Sequence, residues 1–143
     1  MTEQRTGPFW DTLAGRVPPP PAAVTLGWEL VSIAPEKGEI EVRFLAREEF
    51  LNPLGTVQGG FLAAMLDDTL GPALVATLEP HEFAPTLELK VQFLRPAVPG
   101  PLVGRGRVVH RGGGVAFLAG ELYDDDGTPL ATATATARLV RRR

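Results

Sequence analysis

One segment of the 143-residue chain carries a long helical repeat, and this repeat constrains the fold more than any other feature. Between residues 58 and 78, large apolar side chains recur at three- and four-residue steps, which predicts one long helix. They cover most of its circumference, so we expect the helix to be buried. Pro72 lies inside the segment and is expected to end or kink a turn. The apolar positions are Phe61, Leu62, Met65, Leu66, Leu70, Leu74 and Leu78.

The rest of the chain is patterned as strands. From Leu87 onward, apolar and polar residues alternate, and the later segments are separated only by short turns such as Asp124-Asp125-Asp126-Gly127. Strands joined by short turns must be antiparallel. We predict an α+β fold, in which an antiparallel sheet of about six strands wraps around one long central helix. The predicted strands are residues 26–34, 40–45, 87–95, 102–110, 115–123 and 129–140.

Small side chains mark the faces that this sheet would turn toward the helix. Gly104 and Gly106 share one face of their strand, and four alanines alternate with three threonines in the last strand. A curved sheet needs small residues where backbones approach closely. The alternating residues are Ala131, Ala133, Ala135 and Ala137 on one face, and Thr132, Thr134 and Thr136 on the other.

The first 25 residues differ in character from the rest. Residues 8–16 suggest a short helix that ends at a glycine. The four prolines at 18–21 forbid a helix and favour an extended segment, which we interpret as a stiff lead-in rather than an SH3-type ligand. We therefore divide the chain into an N-terminal extension, residues 1–25, and one domain, residues 26–140.

Composition excludes several kinds of chemistry. There is no cysteine, which rules out disulfides, cysteine nucleophiles and cysteine-based metal sites. Ser32 is the only serine and lacks the Gly-x-Ser-x-Gly context of a serine hydrolase. His81 and His110 are the only imidazoles, 29 positions apart, so no metal site is predicted. The Asp124–Gly127 run lacks the alternating ligands of a calcium loop and is interpreted as a hairpin turn.

Charge and hydropathy limit the kinds of partner that we expect. The net charge is −3 and the pI about 5.4, so nucleic acid is not an expected partner. The strongest apolar stretch, Phe61–Leu66, is far shorter than the roughly 20 residues that cross a bilayer, and residues 1–5 lack a signal-peptide pattern. We expect a cytoplasmic protein without a membrane partner, and we interpret the arginines at 141–143 as a solvated tail.

Three features could carry chemistry. Gly59 and Gly60, after Gln58, open the long helix, where bare N–H groups and the helix dipole favour a developing negative charge; the pair could also be a plain loop-to-helix junction. Asp67 and Asp68 follow two turns later. They lie about 100° apart on a helix, so periodicity does not choose between them, and either could instead pair with an arginine.

The third feature is the loop at residues 52–56. Asn52 could place a polar amide near the start of the helix, or it could form a simple Asn-Pro turn. The segment from Asn52 to Asp67, with its Asn-Pro-Leu-Gly-Thr-Val-Gln-Gly-Gly opening, resembles the signature of hotdog-fold acyl-CoA thioesterases of the phenylacetic-acid-degradation (PaaI) type. Residues 86–96 and the last hairpin are also similar to that family, so the resemblance covers roughly residues 26–140.

The resemblance implies roles for individual residues. Asp67 would be the catalytic carboxylate, as general base or nucleophile, with a pKa that partial burial could raise toward working pH. The Gly59 N–H would polarise the thioester carbonyl, and Gly60 would allow close approach. Asn52 would orient water or carbonyl, and Thr86 would come from the partner subunit. The family's histidine is Gln58 here, which can still donate a hydrogen bond but cannot become cationic.

The resemblance also implies partners. The substrate would be an aryl- or medium-chain acyl-CoA, coenzyme A being part of the substrate and no other cofactor being required. Arg95, Arg111 and Gly112 are candidates to contact it. A homodimer would form the site, and two dimers would form a tetramer. Because of Gln58, a non-catalytic acyl-CoA binder or sensor is the alternative function. A hotdog dehydratase is weaker, since no histidine lies in the loop.

Overall fold

The computed structural model of the chain describes residues 5–142 and confirms the predicted architecture. The long helix, α3 (Gly59–Val75), packs against the main sheet, whose strand order is β1-β2-β5-β6-β7-β4. Every neighbouring pair in that sheet is antiparallel. The strands of this sheet are β1 (Glu29–Ala34), β2 (Glu39–Ala46), β4 (Thr86–Phe93), β5 (Gly100–Gly112), β6 (Val115–Asp124) and β7 (Pro129–Arg138).

Small residues allow the sheet to close on the helix, as the sequence predicts. A Cβ atom at Gly106 would lie 3.1 Å from Leu70 and from Thr69, both on α3. The space at Gly120 on β6 is smaller still, because an added Cβ would lie 2.6 Å from Leu70 and 2.5 Å from the Arg105 carbonyl oxygen. The β7 alanines at 131, 133, 135 and 137 are buried against this same core.

Pro72 does not end α3, because another residue compensates for the hydrogen bond that it removes. A proline has no N–H to donate to the carbonyl four residues earlier, here that of Asp68. The indole Nε1 of Trp28 donates to this oxygen instead, at 2.8 Å. The helix therefore continues through Pro72 to Val75, although it ends three residues before the predicted limit at 78.

The N-terminal segment holds a helix that the sequence analysis excluded. The predicted short helix is present as α1 (Pro8–Leu13), but a second helix, α2 (Pro21–Leu26), begins at the last of the four prolines. The expectation that residues 18–21 all forbid a helix was wrong. Proline fits the first position of a helix, where its missing N–H would be unpaired anyway. Because Gly27 ends α2 in the left-handed conformation, β1 begins at Glu29 rather than at 26.

Two further elements were not predicted. A short 3-10 helix (Glu48–Phe50) precedes the loop at 52–56, and β3 (Glu82–Phe83) pairs with β8 (Val140–Arg141) in a separate small sheet. These strands have two residues each, too few to produce a periodic pattern. Residues 1–4 and Arg143, which belong to the predicted extension and tail, lie outside the described residues. Between residues 5 and 142, no helix is long and apolar enough to cross a membrane.

Candidate active site

The first turn of α3 exposes backbone donors. Within residues 5–142, the N–H groups of Gly59 and Gly60 have no acceptor, and the side chain of the N-cap residue, Gln58, forms no capping bond. Two contacts fix the position of this turn. The Gln58 N–H donates to the Phe50 carbonyl oxygen at 2.8 Å, and the rings of Phe50 and Phe61 stack with their centroids 4.1 Å apart. This end of the helix therefore presents two fixed donors, with the positive end of the helix dipole behind them.

A groove of about 390 Å³ lies beside these donors. The ring of Phe93, at the end of β4, covers the Gly59 Cα so closely that an added Cβ would lie 2.9 Å from it. Arg95, one of the predicted substrate contacts, lines the same groove, and its Nη1 donates to the Pro129 carbonyl oxygen at 2.9 Å. The structure thus brings Gly59 and Arg95 together.

Asn52 organises its own loop. Its Oδ1 accepts the N–H groups of Leu54 at 2.9 Å and Thr56 at 3.2 Å, and its Nδ2 donates to the Thr56 Oγ1 at 3.0 Å. These bonds fit the Asn-Pro turn interpretation of this segment. A part for Asn52 in orienting water stays a prediction.

Asp67 lies two turns along α3 and is exposed. The hydroxyl of Thr86, the first residue of β4, donates to its Oδ1 at 3.2 Å. The two residues belong to one chain in this contact. A contribution of Thr86 from the partner subunit stays a prediction. Thr86 also pairs with Ala137 of β7, so the sheet fixes the residue whose hydroxyl reaches the helix.

Asp68 has different surroundings. It is half-buried, and its Oδ2 is fully covered and has no hydrogen-bond partner among residues 5–142. Burial, followed by the negative charge of Asp67, raises the pKa of Asp68 from 3.8 to about 6. The partial burial that was expected of the catalytic aspartate thus occurs at Asp68 in the single chain. Within residues 5–142, neither Asp67 nor Asp68 forms an ion pair. The alternative that one of them pairs with an arginine is therefore wrong for the described residues.

A cavity of about 420 Å³ adjoins both acids. Its volume lies in the range of small-molecule sites. One wall is α3, and the other comes from the N-terminal segment and Trp28, which the sequence analysis had not connected with a site. The signal in the sequence that could have indicated this wall is the four-residue spacing of Phe9 and Leu13, which places both on one face of a short helix. The lining includes Phe9, Leu13, Pro19, Pro20, Trp28, Asp67, Asp68, Pro72, Val75 and Thr86.

Other predicted contacts lie apart from both pockets. Arg111, in β5, donates from Nη2 to the two carboxylate oxygens of Glu82 at 3.2 and 3.0 Å. The N–H of Glu79 and this guanidinium lower the pKa of Glu82 against the opposing effect of burial. Gly112 is exposed beside His110. Neither Arg111 nor Gly112 lines the cavity or the groove. In the described part of the chain, no three acidic or histidine side chains cluster as metal ligands.

Comparison with solved structures identifies similar proteins. A phenylacetic acid degradation-related protein from Ralstonia eutropha JMP134, described as a candidate thioesterase, is 45% identical, with 92% of this chain and 98% of that chain covered and a TM-score of 0.88. A Streptococcus mutans protein, solved bound to acetyl CoA, is 25% identical, with 81% and 90% covered and a TM-score of 0.73.

Sequence comparisons agree. A candidate esterase of Saccharolobus solfataricus is 32% identical over 108 residues, which is 76% of each protein. The family model of the thioesterase superfamily matches residues 54–131, more than half of the chain and including the start of α3, Asp67 and β4. The resemblance to PaaI-type hotdog proteins is confirmed, and the chain belongs to the thioesterase superfamily of hydrolases.

Proposed function

We propose that this protein hydrolyses acyl-CoA thioesters at a site shared by two subunits of a homodimer, with Asp67 from one and the Gly59 N–H from the other. The observation that carries the proposal is the placement of these groups on one helix. They are separated by eight positions, which at about 1.5 Å per residue is about 12 Å along the axis. A reacting carbonyl must lie within hydrogen-bond reach of its donor and close to its base, so that gap is too wide for one chain.

The chemistry requires only these two groups. The Asp67 carboxylate takes a proton from water, and the hydroxide oxygen forms a bond to the thioester carbon while the carbonyl oxygen becomes an oxyanion. The Gly59 N–H donates to that oxyanion. The carbon–sulfur bond then breaks, the CoA thiolate takes up a proton, and the free acid leaves. Direct attack by Asp67, followed by hydrolysis of the anhydride, would use the same geometry.

The edge strand β4 supports the dimer. Within the described residues β4 pairs only with β7, and it carries exposed apolar side chains at both ends, with Leu87 62% and Phe93 55% exposed. An open apolar edge is a site for pairing with another strand. Antiparallel pairing of two β4 strands about a two-fold axis would set the Thr86 end of one beside the Phe93 end of the other. Asp67 would then face the partner's Gly59.

The remaining polar groups have supporting parts in this proposal. Gln58 is exposed at the N-cap of α3, where its amide can donate to the carbonyl or the acyl-CoA without carrying charge. Arg95 beside Gly59 is suited to an anionic part of coenzyme A. The acetyl CoA bound by the similar Streptococcus mutans protein supports this substrate class. Within the described residues the two amides have no acceptor, and the proposed dimer would bring a carboxylate beside them, which favours turnover over binding alone.

A thiol-release assay on a panel of aryl- and medium-chain acyl-CoA thioesters tests the proposal. The wild type should release thiol, and Asp67→Asn should reduce kcat by at least about 100-fold, because the amide cannot accept the proton. Asp68→Asn is the matched control, with the same change one position along. If Asp67→Asn costs less than tenfold while Asp68→Asn is the damaging change, the assignment of the carboxylate is wrong. Saturable binding without turnover would support the binder instead.

A further inference from the structure

The helix α1 forms part of one wall of the cavity beside Asp67, but it is attached only weakly to the rest of the chain. It contributes Phe9 and Leu13 to the lining, while α3 contributes Asp67 and Gly71. No residue of α1 is buried, and in the described part of the chain none of its apolar side chains belongs to the hydrophobic core or packs against it. The helix therefore closes the cavity without being part of the core.

Polar contacts hold α1 together more than they hold it to its neighbours. Arg16, just after the helix, forms an ion pair with Asp11 inside it at 2.9 Å. Among the described residues, a single hydrogen bond joins residues 5–16 to the rest of the chain, from the Arg5 Nη1 to the Ala76 carbonyl oxygen at 3.4 Å. A segment with internal bonds and few external ones can move as a unit at low cost in free energy.

A glycine in the left-handed region lies at each end of α1. Gly7 and Gly15 have φ of +123° and +75°, and an added Cβ at either position would meet no atom within 4 Å. Packing does not require a glycine there, but the backbone conformation does, because residues with a Cβ rarely adopt it. Glycine adopts negative φ about as readily, so a change of φ at Gly15 that moves α1 costs little strain.

The chain that follows Gly15 confines such a movement to this residue. Three prolines at 18–20 have restricted φ, and Pro20 has the extended angles φ −58° and ψ 143°. The helix α2 comes next, and its buried Ala23 and Leu26 fix it to the domain. The N-terminal segment therefore has one end anchored in the domain and one end held by a single hydrogen bond.

We propose that α1 is a lid, with Gly15 as its hinge, that opens and closes the cavity beside Asp67. The structure shows the closed position. Opening widens the cavity and admits a molecule from solvent to the wall formed by α3, and closing encloses that molecule next to the Asp67 carboxylate. This inference concerns access to the cavity, so it goes beyond the proposed function and does not depend on the reaction that Asp67 performs.

Thiol labelling tests the lid directly, because the chain has no cysteine of its own. Gly71→Cys places a thiol on the α3 wall of the cavity, where an added Cβ would meet no atom within 4 Å. A bulky fluorescein maleimide then reports how often this wall is open to solvent. Ser32→Cys, on the exposed strand β1, gives the rate for an accessible thiol. We expect Gly71→Cys to react at least about tenfold more slowly than Ser32→Cys.

Gly15→Ala changes the hinge. Alanine at φ +75° strains the closed position, so the Gly71→Cys thiol should react about 5- to 30-fold faster in this background, while the rate for Ser32→Cys should stay the same. Gly127→Ala is the matched control. Gly127, in the β6–β7 turn, has φ +83° and equally open surroundings, so this change introduces a similar strain away from the cavity. It should leave the Gly71→Cys rate unchanged.

Three results would overturn the inference. Equal rates for Gly71→Cys and Ser32→Cys would show that α1 does not cover the cavity. A Gly71→Cys rate that Gly15→Ala leaves unchanged would show that Gly15 is not the hinge. An equal acceleration by Gly127→Ala would show that general unfolding, rather than a lid, exposes the thiol. None of these measurements uses a thioester, so a protein without thioesterase activity would overturn the proposed function and leave the lid in place.

Discussion

The two ends of the segment of α3 from Gly59 to Asp67 differ in almost every property that matters for chemistry. At the Gly59 end, the helix presents backbone N–H groups that have no acceptor in the described part of the chain, beside an open groove lined by Arg95. At the Asp67 end, it offers two carboxylates and an apolar cavity covered by the N-terminal segment. One end can stabilise a negative charge and the other can generate a nucleophile. A single chain therefore carries two complementary halves that face different parts of its surface.

The strand β4 connects these halves. It begins at Thr86, which holds Asp67, and ends at Phe93, which packs on Gly59. The comparison teaches that the proposed second copy follows from distance: the residues of both halves are present in one chain, but they lie too far apart along one helix and one edge strand to act on one carbonyl. The predictions below change one half at a time.

The largest effect is expected at the amide end. Gly59→Pro removes the N–H at the first helical position, where proline is tolerated. We expect kcat to fall by about 100-fold or more, the usual loss for one oxyanion donor. Gly59→Ala is the matched control, because it adds a Cβ against the same Phe93 ring but keeps the N–H. Similar activities of the two variants would contradict a role for this donor.

A smaller effect concerns stability at the carboxylate end. Raising the pKa of Asp68 from 3.8 to about 6 means that the folded protein binds a proton more tightly than the unfolded chain. This contribution is fully present below pH 4 and is lost as pH rises through 6. The shift corresponds to about 3 kcal/mol at most, which partial exposure reduces to about 1–2 kcal/mol.

Asp68→Asn should therefore stabilise the protein by about 1–2 kcal/mol at pH 8, and this gain should disappear near pH 4. Urea unfolding of both proteins at the two pH values measures it. A gain that is equal at both values would show that the ionisation of Asp68 is not its cause. Asp125→Asn, in the exposed β6–β7 turn, serves as a control for a change of one charge.

The smallest effect concerns the hydrogen bond beneath the cavity. Trp28→Phe leaves the Asp68 carbonyl oxygen without its donor and should lower the free energy of unfolding by about 1 kcal/mol beyond the change in packing. Pro72→Ala supplies a backbone N–H for the same oxygen, so the cost of Trp28→Phe should be smaller in that background. A double-mutant cycle by urea unfolding measures this coupling, and strict additivity would contradict the compensation.

The sequence predicts the helix and the main sheet because their periodicities differ and their faces are continuous. The small residues at 104, 106 and 131–137 even indicate which side meets the helix. The sequence does not predict α2, because a proline at the first position of a helix cannot be told apart, from sequence alone, from a proline in an extended segment. Two-residue strands such as β3 leave no pattern at all.

The candidate site also has features that the sequence predicts and features that it does not. The glycine pair and the two acids are visible as residue types at a fixed spacing, and the family resemblance selects Asp67. The cavity beside Asp68 is also lined by Phe9, Leu13 and Trp28, which come from distant parts of the chain. Periodicity is local, so it could not show that the N-terminal segment forms a cavity wall.

The shared site is tested most directly by a heterodimer made from two inactive chains. Asp67→Asn and Gly59→Pro chains are co-expressed with different affinity tags, and the mixed dimer is isolated by successive purification on both tags. It contains one site with both wild-type groups and one site with neither. The account predicts about half of the wild-type kcat from this dimer, while each parent homodimer stays at least about 100-fold lower. A purified mixed dimer as inactive as its parents would contradict it.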